Sequence, residues 1–165
     1  MNKFQDKFAD EIHKIINKYP TGQKRSAVMP LLYLAQQDSG YVDIHAINDI
    51  ANLLDISSTE VASIIGFYTL YHDRLGGKIR IQVCTDLPCA LRGADKFLAE
   101  LCQALNIRPG ETTADGLITV EEVMCLAACD KAPMFQSQSS EGIKYHENMT
   151  VDSTLELVEK WRKDA

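Results

Sequence analysis

Ile79-Arg80-Ile81-Gln82-Val83-Cys84-Thr85-Asp86-Leu87-Pro88-Cys89 is the stretch on which the fold turns. Ile79, Ile81 and Val83 alternate with Lys78, Arg80 and Gln82, the period-two signature of a strand with two unlike faces. Leu75-Gly76-Gly77 stands just ahead of it as a break. Before that break the periodicity is helical and no strand signal is present.

Working upstream, Phe4, Phe8, Ile12, Ile15, Ile16 and Tyr19 recur at helical spacing and predict one helix, stopped by Pro20 and Gly22. A second helix is expected from about Ser26, with Pro30 in its first turns and Leu31, Leu34 and Ala35 buried before Gly40. A third runs from about Asp43 through Ile47, Ile50, Ala51 and Leu54. Ser57 and Glu60 form a capping box that opens a fourth through Val61, Ile64, Ile65 and Tyr68. The last two helices have the cadence of a helix-turn-helix, with Ser58, Thr59 and Ser63 placed as if for base edges. Between Ser26 and Asp73, however, there is no Lys or Arg, while Asp38, Asp43, Asp49, Asp55 and Glu60 are acidic. Such a surface repels phosphate, so a packed helix pair is expected and nucleic acid is excluded as a partner.

Downstream, Ala94, Phe97, Leu98, Leu101, Cys102 and Leu105 form one face of a helix. A turn-rich stretch from Pro109-Gly110 to Asp115-Gly116 follows. Residues 117–123, 134–138 and 143–147 are predicted strands, 136–140 a polar hairpin turn, and Asp152 the cap of a final helix carrying Leu155, Val158 and Trp161. The order β-α-β-β-β-α gives an α/β fold with an added helical part: an N-terminal helical bundle over 1–75, then a small α/β domain over 76–165.

Composition narrows the function. The 165 residues are 45% hydrophobic and 24% charged, which a packed core requires and a disordered chain lacks. The net charge of −6 argues against binding bare nucleic acid. No run approaches the ~20 apolar residues that span a bilayer, so direct membrane insertion is not expected. The N-terminal stretch mixes acidic and basic residues and resembles neither a secretory signal nor a transit peptide. A cytoplasmic setting follows as an expectation. Thiols stay reduced there, so the five cysteines are read for metal or redox chemistry before disulfides.

Four of them form two clusters. Cys84 and Cys89, with four residues between, follow the first strand; Cys125 and Cys129, with three between, follow the second. If those strands are neighbours joined by a helical crossover, both loops leave the same edge of the sheet and the sulfurs converge. Isolated buried cysteines rarely fall pairwise at matching strand ends, and a redox dithiol requires Cys-x-x-Cys, so metal ligation is favoured. Structural zinc favours tighter knuckles. The Cys-x4-Cys opening is that of plant-type 2Fe–2S ferredoxins, although the second pair does not follow their arrangement. An iron–sulfur centre held by four thiolates is an anion. The amides of residues 85–91, except Pro88, which has no N–H, and a helix beginning near Ala90 are expected to face it. Cys102 shares an apolar face with Leu98, Leu101 and Leu105 and is read as core. His13, His45, His72 and His146 lack paired spacing and are read as surface or capping residues.

The run Val83-Cys84-Thr85-Asp86-Leu87-Pro88-Cys89 with Leu91-Arg92-Gly93, and Cys125-Leu126-Ala127-Ala128-Cys129-Asp130-Lys131-Ala132-Pro133-Met134, resembles the thioredoxin-like 2Fe–2S ferredoxin family. Within it the chain is similar to the branch formed by the small iron–sulfur, E-type subunits of bacterial NADH-quinone oxidoreductases (complex I). The likeness extends over nearly the whole chain, through Tyr19-Pro20, the helix pair ending in Gly66-Phe67-Tyr68, and 110–116. It implies a thioredoxin-like domain and one 2Fe–2S cluster on Cys84, Cys89, Cys125 and Cys129. The implied activity is one-electron transfer beside the F-type flavoprotein that oxidises NADH with FMN, in a peripheral arm attached to the inner membrane. The same resemblance admits the diaphorase part of an NAD(P)-linked hydrogenase or of a formate dehydrogenase as the parent complex. A structural zinc module for protein contact is the reading from outside the family. The chain departs from the family in Met124, where an acidic residue is usual, in Ala127, where glycine is usual, and in Gly66, where threonine is usual. No Gly-x-Gly-x-x-Gly is present, so no NADH or flavin site is expected on this chain alone. Phe67, Leu70 and Tyr71 read either as docking surface for the flavoprotein or as ordinary intramolecular core, and the sequence admits both. A cis Ala132–Pro133 bond is predicted from the thioredoxin-like pattern.

Overall fold

A computed structural model describes residues 3–164. The chain divides between Leu75 and Gly76 into two compact units.

The first unit is helical. Where a single helix is expected over 4–19, the chain forms α1 (Lys3–Lys7) and α2 (Ala9–Ile16), interrupted at Phe8 with φ −120° and ψ 27°. The interruption lets the Phe8 ring tilt onto Phe4, centroids 5.6 Å apart, while Ile12 stays buried. A 3-10 turn at Lys24–Ala27 leads into α3 (Val28–Ser39), two residues later than Ser26, with Pro30 in the first turn where no N–H partner exists. Val28, Leu31, Leu32, Ala35 and Gln36 are its buried residues and Leu34 is only half-buried. Asp43 caps α4 (Ile44–Leu54) by accepting from the Ala46 amide at 2.7 Å. The reciprocal Ser57–Glu60 box opens α5 (Ser58–Phe67) and stabilises that end by about 1 kcal/mol. Ile47, Ile50, Ala51, Leu54, Val61 and Ile65 close one core with α3.

Among the described residues no single helix is long and apolar enough to cross a membrane. Taken together α4 and α5 would pass on length and composition, but they bend by 119° between them and their apolar residues fill this core.

The second unit is a four-stranded sheet in the order β2-β1-β3-β4. Its strands are β1 (Ile79–Cys84), β2 (Ile118–Val123), β3 (Phe135–Ser139) and β4 (Gly142–His146). β1 and β2 are parallel, with Ile79 opposite Ile118 and Cys84 opposite Val123; β3 and β4 run antiparallel. Between β1 and β2 come the four-residue helix α6 (Leu87–Ala90) and α7 (Ala94–Leu105), and α8 (Val151–Asp164) follows β4. Gly77 lets β1 start against its neighbour: a Cβ there would stand 2.5 Å from the Leu117 carbonyl oxygen. Ile81, Val83, Ile118, Val120 and Phe135 pack with Phe97, Leu98, Leu101, Cys102 and Val158, which places Cys102 in the core as expected.

Several expectations change. The alternation of β1 holds, yet its polar face is buried too: Arg80 and Gln82 are 6% and 0% exposed. β1 is a central strand, and its polar side chains pair sideways, Arg80 with Glu121, Gln82 with Glu121 at 2.9 Å, and Gln136 with Gln82 at 2.6 Å. The polar run 136–140 is mostly strand, because Gln136 joins that buried network, and the hairpin turns at Ser140-Glu141. Thr150 rather than Asp152 caps α8, its hydroxyl accepting from the Ser153 amide while Asp152 lies inside the first turn. His146 is no surface residue. It stacks on Phe135 (4.6 Å), meets Trp161 edge-on and shares a 2.9 Å hydrogen bond with Ser137, and burial pushes its pKa down. His72 is likewise buried, its carbonyl accepting from the Val42 amide.

Candidate metal centre

The parallel β1–β2 pair decides where the cysteines go. Both strands end at the same edge of the sheet, so the loops after Cys84 and after Val123 start side by side, as the two clusters require. The Thr85 amide donates to the Val123 carbonyl at 3.1 Å and its hydroxyl to Glu122 at 2.6 Å, which ties the loop bases together.

Asp86 organises the first loop. Its carboxylate accepts from the Leu87 amide, and its carbonyl accepts from Cys89 (2.7 Å) and Ala90 (2.9 Å). Asp86 thereby caps α6, with Pro88 in the first turn, and the side chain of Cys89 is delivered inward. Cys84 and Cys89 are both 1% exposed. The helix expected from Ala90 is therefore two elements. Gly93, at φ 90°, turns the chain between α6 and α7, so the longer helix starts at Ala94 instead. The amides of Thr85, Leu87, Cys89, Ala90 and Leu91 are consumed in this scaffolding rather than left facing an anion.

The second loop is built differently. Cys125 (φ 44°) and Ala127 (φ 57°) both occupy the left-handed region, and Cys125 is exposed. Cys129, partly buried, opens a 3-10 turn, Cys129–Lys131. Among the described residues the amides of Leu126, Ala127 and Ala128 have no hydrogen-bond partner, so most of the open donors sit here, with the Asp86 amide the one left in the first loop. Tyr145 donates its hydroxyl to the Leu126 carbonyl at 3.1 Å, and the Asn148 and Met149 amides hold the carbonyls of Lys131 and Pro133. The Ala132–Pro133 bond is cis, as expected.

Three of the four cysteines gather in one cluster. Cys84 and Cys89 belong to it, Cys129 packs against it, and the Cys89 thiol feels both neighbours. Burial first, and then these two neighbours, push it up to about 12. They lie in a small apolar cluster with Ala94, Ala132 and Met134, where like charges repel strongly unless a cationic centre compensates them. Cys125 stands at the rim, four positions before Cys129 on the same loop. Among the described residues no three His, Cys, Asp or Glu side chains close on a single ion. The donor chemistry, soft thiols from two facing loops in a dry pocket with amide donors beside them, fits an anionic iron–sulfur centre. Apolar side chains crowd the rim: Leu87, Leu91 and Met124 are 70%, 80% and 66% exposed. In the first unit Phe67, Tyr68 and Leu70 are exposed as well. Tyr71 is half-buried and spends its hydroxyl on the Met29 carbonyl.

Asp86 and Tyr145 escaped the sequence reading as site residues. Asp86 was detectable in principle, since Asp-Leu-Pro is an N-cap signal; nothing local marks Tyr145.

Comparison with known proteins agrees with this geometry. Residues 12–162 match the profile of the thioredoxin-like [2Fe-2S] ferredoxin family. The chain is 37% identical to the E-type subunit of NADH-quinone oxidoreductase from Rickettsia conorii, over 98% of this chain and 95% of that one. It is 40% identical to NADH-quinone oxidoreductase subunit 2 of Thermus thermophilus, over 82% and 75%. Among solved structures, an NAD+-reducing [NiFe]-hydrogenase in the air-oxidised state superposes with a TM-score of 0.63 at 21% identity, covering 81% of this chain. This chain spans only 23% of that hydrogenase chain, and the likeness shows a shared fold.

Proposed function

This chain belongs to the thioredoxin-like [2Fe-2S] ferredoxin family, and from that premise we propose that Cys84, Cys89, Cys125 and Cys129 hold its cofactor, one 2Fe–2S cluster. The chain is an electron-transfer subunit of NADH-quinone oxidoreductase. Its place is beside the flavoprotein that oxidises NADH with FMN, in a peripheral arm at the inner membrane. The observation that carries the ligand set is the gathering of Cys84, Cys89 and Cys129 in one small cluster at the shared edge of the parallel β1–β2 pair, with Cys125 on the second loop.

A bound 2Fe–2S cluster accepts and releases one electron. The protein's own part is to hold and tune that site. β1 and α6 fix two thiols in an apolar pocket, and the amides of 126–128 offer donors to negative charge. Exposed Cys125, with exposed Leu87, Leu91 and Met124 on the same two loops, leaves an apolar surface open for approach by a partner. A hydrogenase or formate dehydrogenase diaphorase would use the same site. The hydrogenase likeness, at 21% identity, concerns fold alone, whereas the 37–40% relatives are named as subunits of NADH-quinone oxidoreductase.

The test of the partner is direct electron exchange. The dithionite-reduced chain, freed of excess reductant, is mixed anaerobically with the FMN-loaded flavoprotein. Reoxidation of the cluster with matching flavin reduction is expected, and none with FMN-free flavoprotein. Equal behaviour of the two flavoprotein forms contradicts the reading.

A further inference from the structure

Arg92 lies between the two cysteine loops and touches both. Its backbone amide donates to the Cys89 carbonyl at 3.0 Å. Its Nε donates across to the Ala132 carbonyl at 3.1 Å, and the Ala132 amide in turn reaches the Cys129 carbonyl at 3.5 Å. A path of hydrogen bonds therefore runs from Cys89 through one side chain to Cys129, joining cysteines that share one cluster. This is the sole side-chain link from the α6–α7 junction to the 3-10 turn that Cys129 opens, among the described residues. No carboxylate among the described residues pairs with the exposed Arg92 guanidinium, so its charge acts through solvent screening on whatever negative charge the loops enclose.

The geometry points to Arg92 as a positioning residue. It clamps the Cys125–Cys129 loop onto the Cys89 loop and places a fixed positive charge beside the cluster. It thereby raises the cluster's reduction potential and slows cluster loss. The inference rests on the proposed ligand set, and it separates the two contributions of the side chain. The hydrogen bond to Ala132 sets loop closure, while the charge sets the preference for the more negative reduced state.

Full-length wild type, Arg92→Gln and Arg92→Lys are compared by three readouts. In an EPR-monitored redox titration, Arg92→Gln is expected to titrate at a more negative potential, and Arg92→Lys, which keeps the charge, close to wild type. With an iron chelator, both variants are expected to bleach several-fold faster, because neither supplies Nε–H to Ala132. In cluster-free protein, amide exchange of residues 129–132 is expected to quicken several-fold in Arg92→Gln while the global unfolding midpoint is retained. An unshifted potential together with wild-type bleaching and exchange overturns the inference. So does a variant whose only change is a lower unfolding temperature, since that marks a purely structural residue. If wild type takes up no 2Fe–2S cluster, the ligand reading fails instead. The exchange of 129–132 in the cluster-free chains then still decides the clamp, with equal rates overturning it.

Discussion

The two cysteine loops reach the same place by opposite means. The first is bonded within itself: Asp86 caps α6, every amide but that of Asp86 is spent internally, and Cys84 and Cys89 are buried. The second carries two left-handed non-glycine residues, an exposed cysteine and unpartnered amides. One loop, the template, is bonded within itself, and the other, the flap, is tied from outside by Tyr145, Asn148 and Arg92 and keeps its amides and Cys125 open. The contrast teaches that a multi-thiol site need not be preorganised throughout. A rigid half sets position, and a softer half absorbs the geometry of the bound group.

The largest expected difference between the loops lies in the ligands. Cys89→Ser removes the thiol that contacts two others, and complete loss of the visible 2Fe–2S absorption is expected. Cys125→Ser, at the open rim, is expected to perturb the spectrum or lower occupancy. Cys102→Ser leaves the spectrum unchanged, because that thiol packs in the other core. Equal spectra for Cys89→Ser and Cys125→Ser would erase the template–flap distinction.

Next comes the capping of the first loop. Asp86→Ala unpairs the Leu87 amide and is expected to cost about 1 kcal/mol in urea unfolding of the cluster-free chain. Cluster release should quicken with it, since Cys89 rides on α6. The second loop responds in the opposite sense. Ala127→Gly relieves a Cβ at φ 57° and is expected to stabilise the cluster-free chain by about 0.5–1 kcal/mol after the added chain entropy. A destabilised Ala127→Gly would mean that the loop's conformation is not strained as described.

The smallest effect is a control away from both loops. Thr113, then the Leu117 amide and Arg162, hold Asp115 down at about 2. A depressed carboxyl stabilises the fold above its unfolded value near 3.8, and that contribution fades as pH falls toward about 2. With the side chain 40% exposed, solvent screening limits it, and Asp115→Asn is expected to cost less than about 1 kcal/mol at pH 6. Urea titrations at pH 6 and pH 3 should show the gap narrowing in acid, with the cluster spectrum untouched throughout.

How far the sequence carried these features follows from how local each signal is. The Ser57–Glu60 box, the β1 alternation and the paired cysteines are short-range patterns, and each stands where it was read. The break at Phe8 depends on a ring–ring contact, and the burial of Arg80 and Gln82 on partners some 40 to 54 positions away. No window of sequence contains those partners. The split of α6 from α7 lay within reach, since Asp86, Pro88 and Gly93 mark a cap, a start and a turn. The apolar residues between them suggested one continuous helix instead. Within the site, residue types announced the thiols, but which loop is rigid depends on where each amide finds its acceptor. Arg92 was legible only as part of a motif; its bond to Ala132, 40 positions on, needed the fold.

The central claim, that two unlike loops assemble one 2Fe–2S site, is tested most directly on the chain purified anaerobically, by metal and sulfide analysis with EPR of the reduced protein. The account predicts about two irons and two acid-labile sulfides per chain, with a one-electron signal that Cys89→Ser abolishes. A colourless chain holding one zinc and no sulfide would contradict it.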